Sequence, residues 1–144
     1  MIKKGDLTYM LVDDDLTNNL VCKLIITKFD ASAPISVFSV PEKALEYIEN
    51  LKEESSSETP EKIILFLDVN MPTMTGWEFL DKFLLFPEEL KSQFFIYILS
   101  SAIDDYVEER NKYPFVKDFL SKPLRNENLI NIEESLCAVE AISR

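Results

Sequence analysis

Short apolar runs alternate along this chain with stretches whose apolar residues recur at helical spacing. Leu7 to Val12 is the first run and reads as a strand. Leu20, Val21, Leu24 and Ile25 follow at helical spacing and carry a helix to about Phe29. Pro34 breaks the chain, and Ile35 to Phe38 makes a short second strand. Ser39-Val40-Pro41-Glu42 is a helix start: Ser39 can cap, Glu42 can close a capping box, and Pro41 suits the first turn. Ala44, Leu45, Ile48 and Leu51 supply the buried stripe of that second helix. Residues 52–62 are polar, Ser-rich and acidic, which predicts a mobile surface loop.

Ile63 to Asp68 reads as a third strand, apolar nearly throughout, as a central parallel strand covered on both faces should be. Thr75-Gly76-Trp77-Glu78 opens a third helix with Leu80, Phe83 and Leu84 inward. Phe94 to Leu99 is a fourth strand. Ser101 to about Lys112 is a fourth helix, stopped by Pro114, and Phe115 to Leu120 a fifth strand. A last helix spans about Asn126 to Ile142, with Leu129, Ile132, Leu136 and Val139 on one face. Regular alternation of this kind predicts an α/β fold: a doubly wound, five-stranded parallel sheet with helices on both faces. The 144 residues fit one domain over 1–144, with a core of about 8–142.

Composition narrows the function. A formal charge of −11 argues against a nucleic-acid surface, which needs clustered Lys and Arg. No run has the length of a membrane span, and no long apolar stretch follows Lys3 and Lys4 as a signal peptide would require. Cys22 and Cys137 lie far apart inside helical patterns and read as buried, reduced thiols, so the expected compartment is the cytoplasm. The chain has no histidine, which removes His-based acid–base catalysis, Ser-His-Asp triads and His metal sites. Gly5 and Gly76 are the only glycines, so neither a Walker loop nor a dinucleotide fingerprint can form.

The chemistry gathers where strands end. The first strand stops in Asp13-Asp14-Asp15, the third in Asp68, the fourth in Ser100, and the fifth in Ser121-Lys122-Pro123. In a parallel sheet these ends share one edge, where open α/β sheets bind ligands. Adjacent carboxylates repel unless a positive charge sits among them, and a hard divalent cation, Mg²⁺, is the economical occupant. A solvated acidic turn capping the next helix is the competing reading for Asp13 to Asp15. Carboxylates, a hydroxyl and an ammonium on one edge suit Mg²⁺-dependent phosphoryl transfer onto a carboxylate.

With these motifs in hand the chain resembles the receiver domains of two-component response regulators. The resemblance rests on Leu11-Val12-Asp13-Asp14, on Leu67 through Gly76, on Leu99-Ser100-Ser101 and on Phe119-Leu120-Ser121-Lys122-Pro123, in the family's order and rough spacing. It covers about Thr8 to Ile142 and implies the flavodoxin-like strand order 2-1-3-4-5. It further implies that Asp68 accepts the phosphoryl group, and that Asp13, Asp14, Asp68 and the Asn70 carbonyl hold Mg²⁺. Lys122 would contact the phosphate across a Lys122–Pro123 bond that is commonly cis in the family. Ser100 would be the switch hydroxyl. Phe119 stands at the switch aromatic position and would turn inward behind Ser100; plain core packing is the competing reading. Asp15 matches no ligand position.

The function expected from the resemblance is a stand-alone, cytoplasmic response regulator, a signalling protein rather than a turnover enzyme. The phosphoryl group would come from a histidine kinase or a histidine phosphotransfer protein. Output would run through a downstream protein on the face of the fourth helix, fifth strand and fifth helix, or through onward transfer, with no nucleic acid or membrane involved. Two alternatives are a Mg²⁺-dependent phosphatase of the haloacid dehalogenase type and a non-phosphorylated receiver-like binding module. The first places a second Asp two residues after its nucleophile, where this chain has Asn70.

Overall fold

The computed structural model describes residues 7–54, 62–102 and 106–142, with the side chains of 52–54 and 138–142 excluded. Five parallel strands, β1 (Leu7–Val12), β2 (Ile35–Phe38), β3 (Lys62–Leu67), β4 (Phe94–Ser100) and β5 (Asp118–Ser121), form one sheet in the order β2-β1-β3-β4-β5. The predicted parallel sheet and its order are both present. In register, Val12 lies beside Phe38 and Leu67, Leu67 beside Ile98, and Ser100 beside Ser121. The strands therefore stop together, and the residues after them meet on one edge.

Because successive strand side chains point to opposite faces, the apolar strands feed two cores. Met10, Val12, Ile63, Leu65, Leu67, Ile96 and Ile98 face α2 (Pro41–Glu54) and α3 (Gly76–Phe83), where Ala44, Ile48, Phe79, Leu80 and Phe83 are buried. Tyr9, Leu11, Ile64, Phe66, Tyr97 and Leu99 face α1 (Leu16–Phe29) and α6 (Asn126–Ile142), which contribute Cys22, Ile26, Leu129, Ile132 and Leu136. A sheet buried on both sides is what the unbroken apolar strands demand.

Several boundaries depart from the sequence reading. α2 continues to Glu54 and β3 begins at Lys62, so the two ends of the expected loop 52–62 are regular structure; 55–61 lie outside the described residues. A short helix, α4 (Glu88–Lys91), follows Pro87 and was not foreseen. The expected fourth helix is reduced to α5 (Val107–Lys112), and Ser101 and Ala102 precede it as non-helical chain. The fifth strand starts at Asp118 rather than Phe115, although Phe115 and Val116 still pack against the core. Val40, not Ser39, immediately precedes α2, its carbonyl accepting from the Ala44 amide. The Glu42 carboxylate accepts from the Thr73 hydroxyl at 2.8 Å.

α1 shows the largest difference in facing. Leu20 and Leu24 point outward, and with Leu16 they are 58, 61 and 70% exposed respectively. The helix buries Asn19, Cys22 and Ile26 instead. Leu84, expected inward, is likewise exposed beyond the end of α3. Cys137 is half-buried rather than buried.

Candidate functional site

Each loop at the carboxyl edge is held by backbone hydrogen bonds to its neighbours. The Asp13 amide donates to Phe38 O (3.0 Å), the Asp68 amide to Val12 O (2.9 Å), and the Lys122 amide to Ser100 O (2.9 Å). These bonds extend the ladder by one residue past β1, β3 and β5 and fix where Asp13, Asp68 and Lys122 leave the sheet. The Lys122–Pro123 peptide is cis, as the resemblance implied.

Asp15 caps α1: its carboxylate accepts from the Thr17 and Asn18 amides at 3.0 and 3.1 Å. That explains its place in the acidic run without a ligand role and frees the residues before it. Asp13 Oδ1 accepts from the Asp15 amide (2.9 Å), Asp13 Oδ2 from Asn18 Nδ2 (2.8 Å), and the Asp13 carbonyl from Asn19 Nδ2 (2.7 Å). Asn18 and Asn19 thus hold the Asp13 carboxylate and backbone in place. The sequence reading missed both; two consecutive amides one turn after the acidic run were the available signal.

Across the edge, Gly76 allows α3 to start against the backbone of Asp68. Its amide donates to Val69 O at 2.8 Å. A Cβ there would stand 2.5 Å from the Asp68 carbonyl oxygen, which is why this position needs glycine. The start of α3 is closed by a capping box: Thr75 accepts from the Glu78 amide, and Glu78 from the Thr75 amide.

These supports gather Asp13, Asp14 and Asp68, with one carboxylate oxygen from each lying within 4.8 Å of the others. Asp13 and Asp68 are buried, whereas Asp14 is exposed and leaves the cluster open on one side. Lys122 Nζ enters from β5 and pairs with Asp13 Oδ2 at 2.7 Å and Asp68 Oδ1 at 3.2 Å. Burial, then the charge of Asp13, raises Asp68 to about 6, against the opposing pull of Lys122 and the Val69 amide. Lys122 is pulled both ways: burial lowers its pKa, but its bonds and charge contacts with Asp13 and Asp68 prevail and raise it. Three hard oxygens spanning one coordination sphere fit a divalent cation such as Mg²⁺. Asn70 lies exposed in the loop after Asp68, between buried Val69 and buried Met71.

Ser100 ends β4 and is 1% exposed. Its Oγ lies 3.2 Å from the Tyr106 hydroxyl and accepts from the Ala102 amide at 3.3 Å. Phe119 is already inward, 6% exposed, between Trp77 and Tyr106 and beneath the Arg110 guanidinium. Phe119 is thus packed inward in this structure.

A family model of the response regulator receiver domain matches residues 9–133. The chain belongs to that family. The fold is shared by a two-component response regulator from Cytophaga hutchinsonii, which is 24% identical over 92% of this chain and 97% of that one, with a TM-score of 0.78. A CheY-like receiver domain protein from Methanospirillum hungatei is 23% identical over 89% of this chain and 91% of that one, TM-score 0.66. A BeF3-activated DrrB receiver domain is 20% identical over 91% and 97%, TM-score 0.61. No curated protein matches the chain. Receiver domains accept phosphoryl groups and work between histidine kinases and downstream effectors. The acidic cluster at the sheet edge of this receiver domain is one that could hold a metal ion.

Proposed function

We propose that this receiver domain takes a phosphoryl group onto Asp68 from a phosphohistidine donor, a histidine kinase or a histidine phosphotransfer protein, and signals through the change that follows. The observation that carries this reading is the Lys122 ammonium reaching both Asp13 and Asp68 inside a three-carboxylate cluster. A lysine aimed at two buried carboxylates has no purpose in packing the core, and it is where a phosphoryl oxygen on Asp68 needs a cation.

In the step proposed, an Asp68 carboxylate oxygen attacks phosphorus and the donor's P–N bond breaks. The electron pair leaves with the imidazole nitrogen, which takes a proton from water. The ionised Asp68 carboxylate is the nucleophile in this step. Asp13, Asp14, Asp68 and the Asn70 carbonyl would hold Mg²⁺, which supplies positive charge against the phosphoryl oxygens. Lys122 would pair with one phosphoryl oxygen and Ser100 would donate to another.

A protein donor also fits the surface. Leu16, Leu20 and Leu24 form an outward apolar stripe on the helix that Asp15 caps, directly beside the acidic cluster. These 144 residues contain no histidine and so cannot themselves be the phosphohistidine donor. Output would use the face of α5, β5 and α6, by protein binding or onward transfer. The cytoplasm, where such donors present phosphohistidine, is the compartment proposed; the buried Cys22 thiol fits a reducing one.

The test is transfer of radiolabelled phosphate from a phosphorylated histidine phosphotransfer protein. Label should move to the wild-type chain and not to Asp68→Asn. Many equivalents released per chain as inorganic phosphate would indicate a phosphatase instead. No transfer from any donor, together with no labelling by small phosphodonors, would leave a binding module.

A further inference from the structure

Position 119 carries a phenylalanine, so the aromatic of β5 that packs against Tyr106 brings no hydroxyl. The hydroxyl that meets Ser100 belongs to Tyr106, from a different segment. Tyr106 immediately precedes α5, and its carbonyl accepts from the Arg110 amide at 3.0 Å. Its ring meets Trp77 edge-on at 5.1 Å and lies 6.2 Å from Phe119. Trp77 in turn stacks on Tyr113, just past the other end of α5, at 5.7 Å. Both flanks of α5 are thereby tied to Trp77, and one of them is also tied to the hydroxyl at the end of β4.

We propose that Tyr106 is a positioning residue: a latch that holds the Ser100 hydroxyl in the unphosphorylated state and, when released, carries the signal into α5. The proposal rests on the reading of Asp68 as the phosphoryl acceptor. A serine hydroxyl has one proton and two lone pairs. Ala102 N–H occupies one lone pair, and the contact with Tyr106 takes the proton or the second lone pair. A phosphoryl oxygen on Asp68 offers Ser100 a charge-assisted hydrogen bond, stronger than the neutral one to Tyr106. Ser100 then leaves Tyr106, whose half-buried hydroxyl keeps its own proton and turns to water. With Ser100 as the donor, its one proton is held on Tyr106, and the latch sets a threshold because that bond must break before the proton can reach a phosphoryl oxygen. Phe119, already inward, serves as the wall against which Tyr106 rests.

Trp77 is the chain's single tryptophan and reports on Tyr106 directly. The experiment titrates beryllofluoride with Mg²⁺ into wild type, Tyr106→Phe, Ser100→Ala and the double variant. Affinity is read by calorimetry and Trp77 emission by fluorescence. Tyr106→Phe keeps the ring and loses only the hydroxyl. It should bind beryllofluoride roughly two- to tenfold more tightly than wild type, the value of one neutral hydrogen bond. It should also lose more than half of the Trp77 response. In the Ser100→Ala background the same substitution should change neither quantity, since the two residues act through one bond. Affinity that is unchanged or weaker in Tyr106→Phe, a full Trp77 response, or additive effects in the double variant would overturn the latch while leaving Asp68 chemistry intact. Failure of the wild-type chain to bind beryllofluoride would instead remove the acceptor reading, and the latch with it.

Discussion

The Lys122 ammonium lies nearer to Asp13, at 2.7 Å, than to Asp68, at 3.2 Å. The cation of the site thus compensates the carboxylate pair as a whole rather than the acceptor alone. Replacing Lys122 with Ala leaves two buried carboxylates without it. A fully buried pair broken in this way loses about 3–5 kcal/mol; Lys122 keeps 19% of its side-chain surface, so about 1–3 kcal/mol is expected after allowing for solvent screening. Urea denaturation in chelator should read that loss, and saturating Mg²⁺ should shrink it. An equal loss with and without metal would mean that the lysine and the metal do not serve the same carboxylates.

Asp68→Asn should stabilise the metal-free protein. Asp68 is raised from 3.8 to about 6, so the folded chain binds more protons than the unfolded chain between those values. Its ionisation therefore costs stability, fully at pH 7, and the cost is relieved as pH falls through about 6 toward 4. The variant should gain on the order of 1–2 kcal/mol at pH 7, less than the full shift implies because Lys122 also loses a partner. The gain should fade by pH 4. Denaturation midpoints of the two proteins at both pH values, in chelator, check this; a variant less stable at pH 7 would contradict it.

Gly76→Ala places a methyl group 2.5 Å from the Asp68 carbonyl and 3.0 Å from Val69 Cα. Both obstacles are backbone, so α3 or the β3 end must shift. A loss of about 1–3 kcal/mol is expected, together with weaker Mg²⁺ binding because Asp68 moves. A thermal melt and a Mg²⁺ titration on the same sample measure the two effects.

Leu20→Ala should leave stability within about 0.5 kcal/mol, since the side chain is 58% exposed. Labelling by acetyl phosphate should be unchanged, whereas transfer from a histidine phosphotransfer protein should slow severalfold. Equal rates from both kinds of donor would remove α1 from the donor surface.

Cys22 should resist alkylation in the folded protein. Burial first, then Asp13, raises its thiol to about 11, against weaker opposing effects of Lys122 and Asn18. The reactive thiolate is therefore scarce at pH 7. Peptide mapping after iodoacetamide should find Cys22 modified only once the chain is unfolded in denaturant.

Strand positions and the acidic edge were legible in the sequence because central parallel strands leave unbroken apolar runs and the chemistry follows directly after them. Asp13, Asp14, Asp68 and Lys122 do converge as their places at strand ends required. What was not legible depends on contacts between elements. Leu20 and Leu24 have helical spacing, but spacing alone cannot say which side of α1 meets the sheet; Cys22 and Ile26 took it. The length of α5 could not be read because Val107 to Lys112 carries no buried residue to mark a face. Tyr106 went unnoticed for the same reason: its partners Ser100, Trp77 and Phe119 come from three other segments.

The most direct test of the account is mass spectrometry of the folded chain after incubation with acetyl phosphate and Mg²⁺. The account predicts one phosphoryl adduct, mapped to Asp68, absent in Asp68→Asn and lost when Mg²⁺ is chelated beforehand. An unmodified wild-type chain, or an adduct on any other residue, would contradict it.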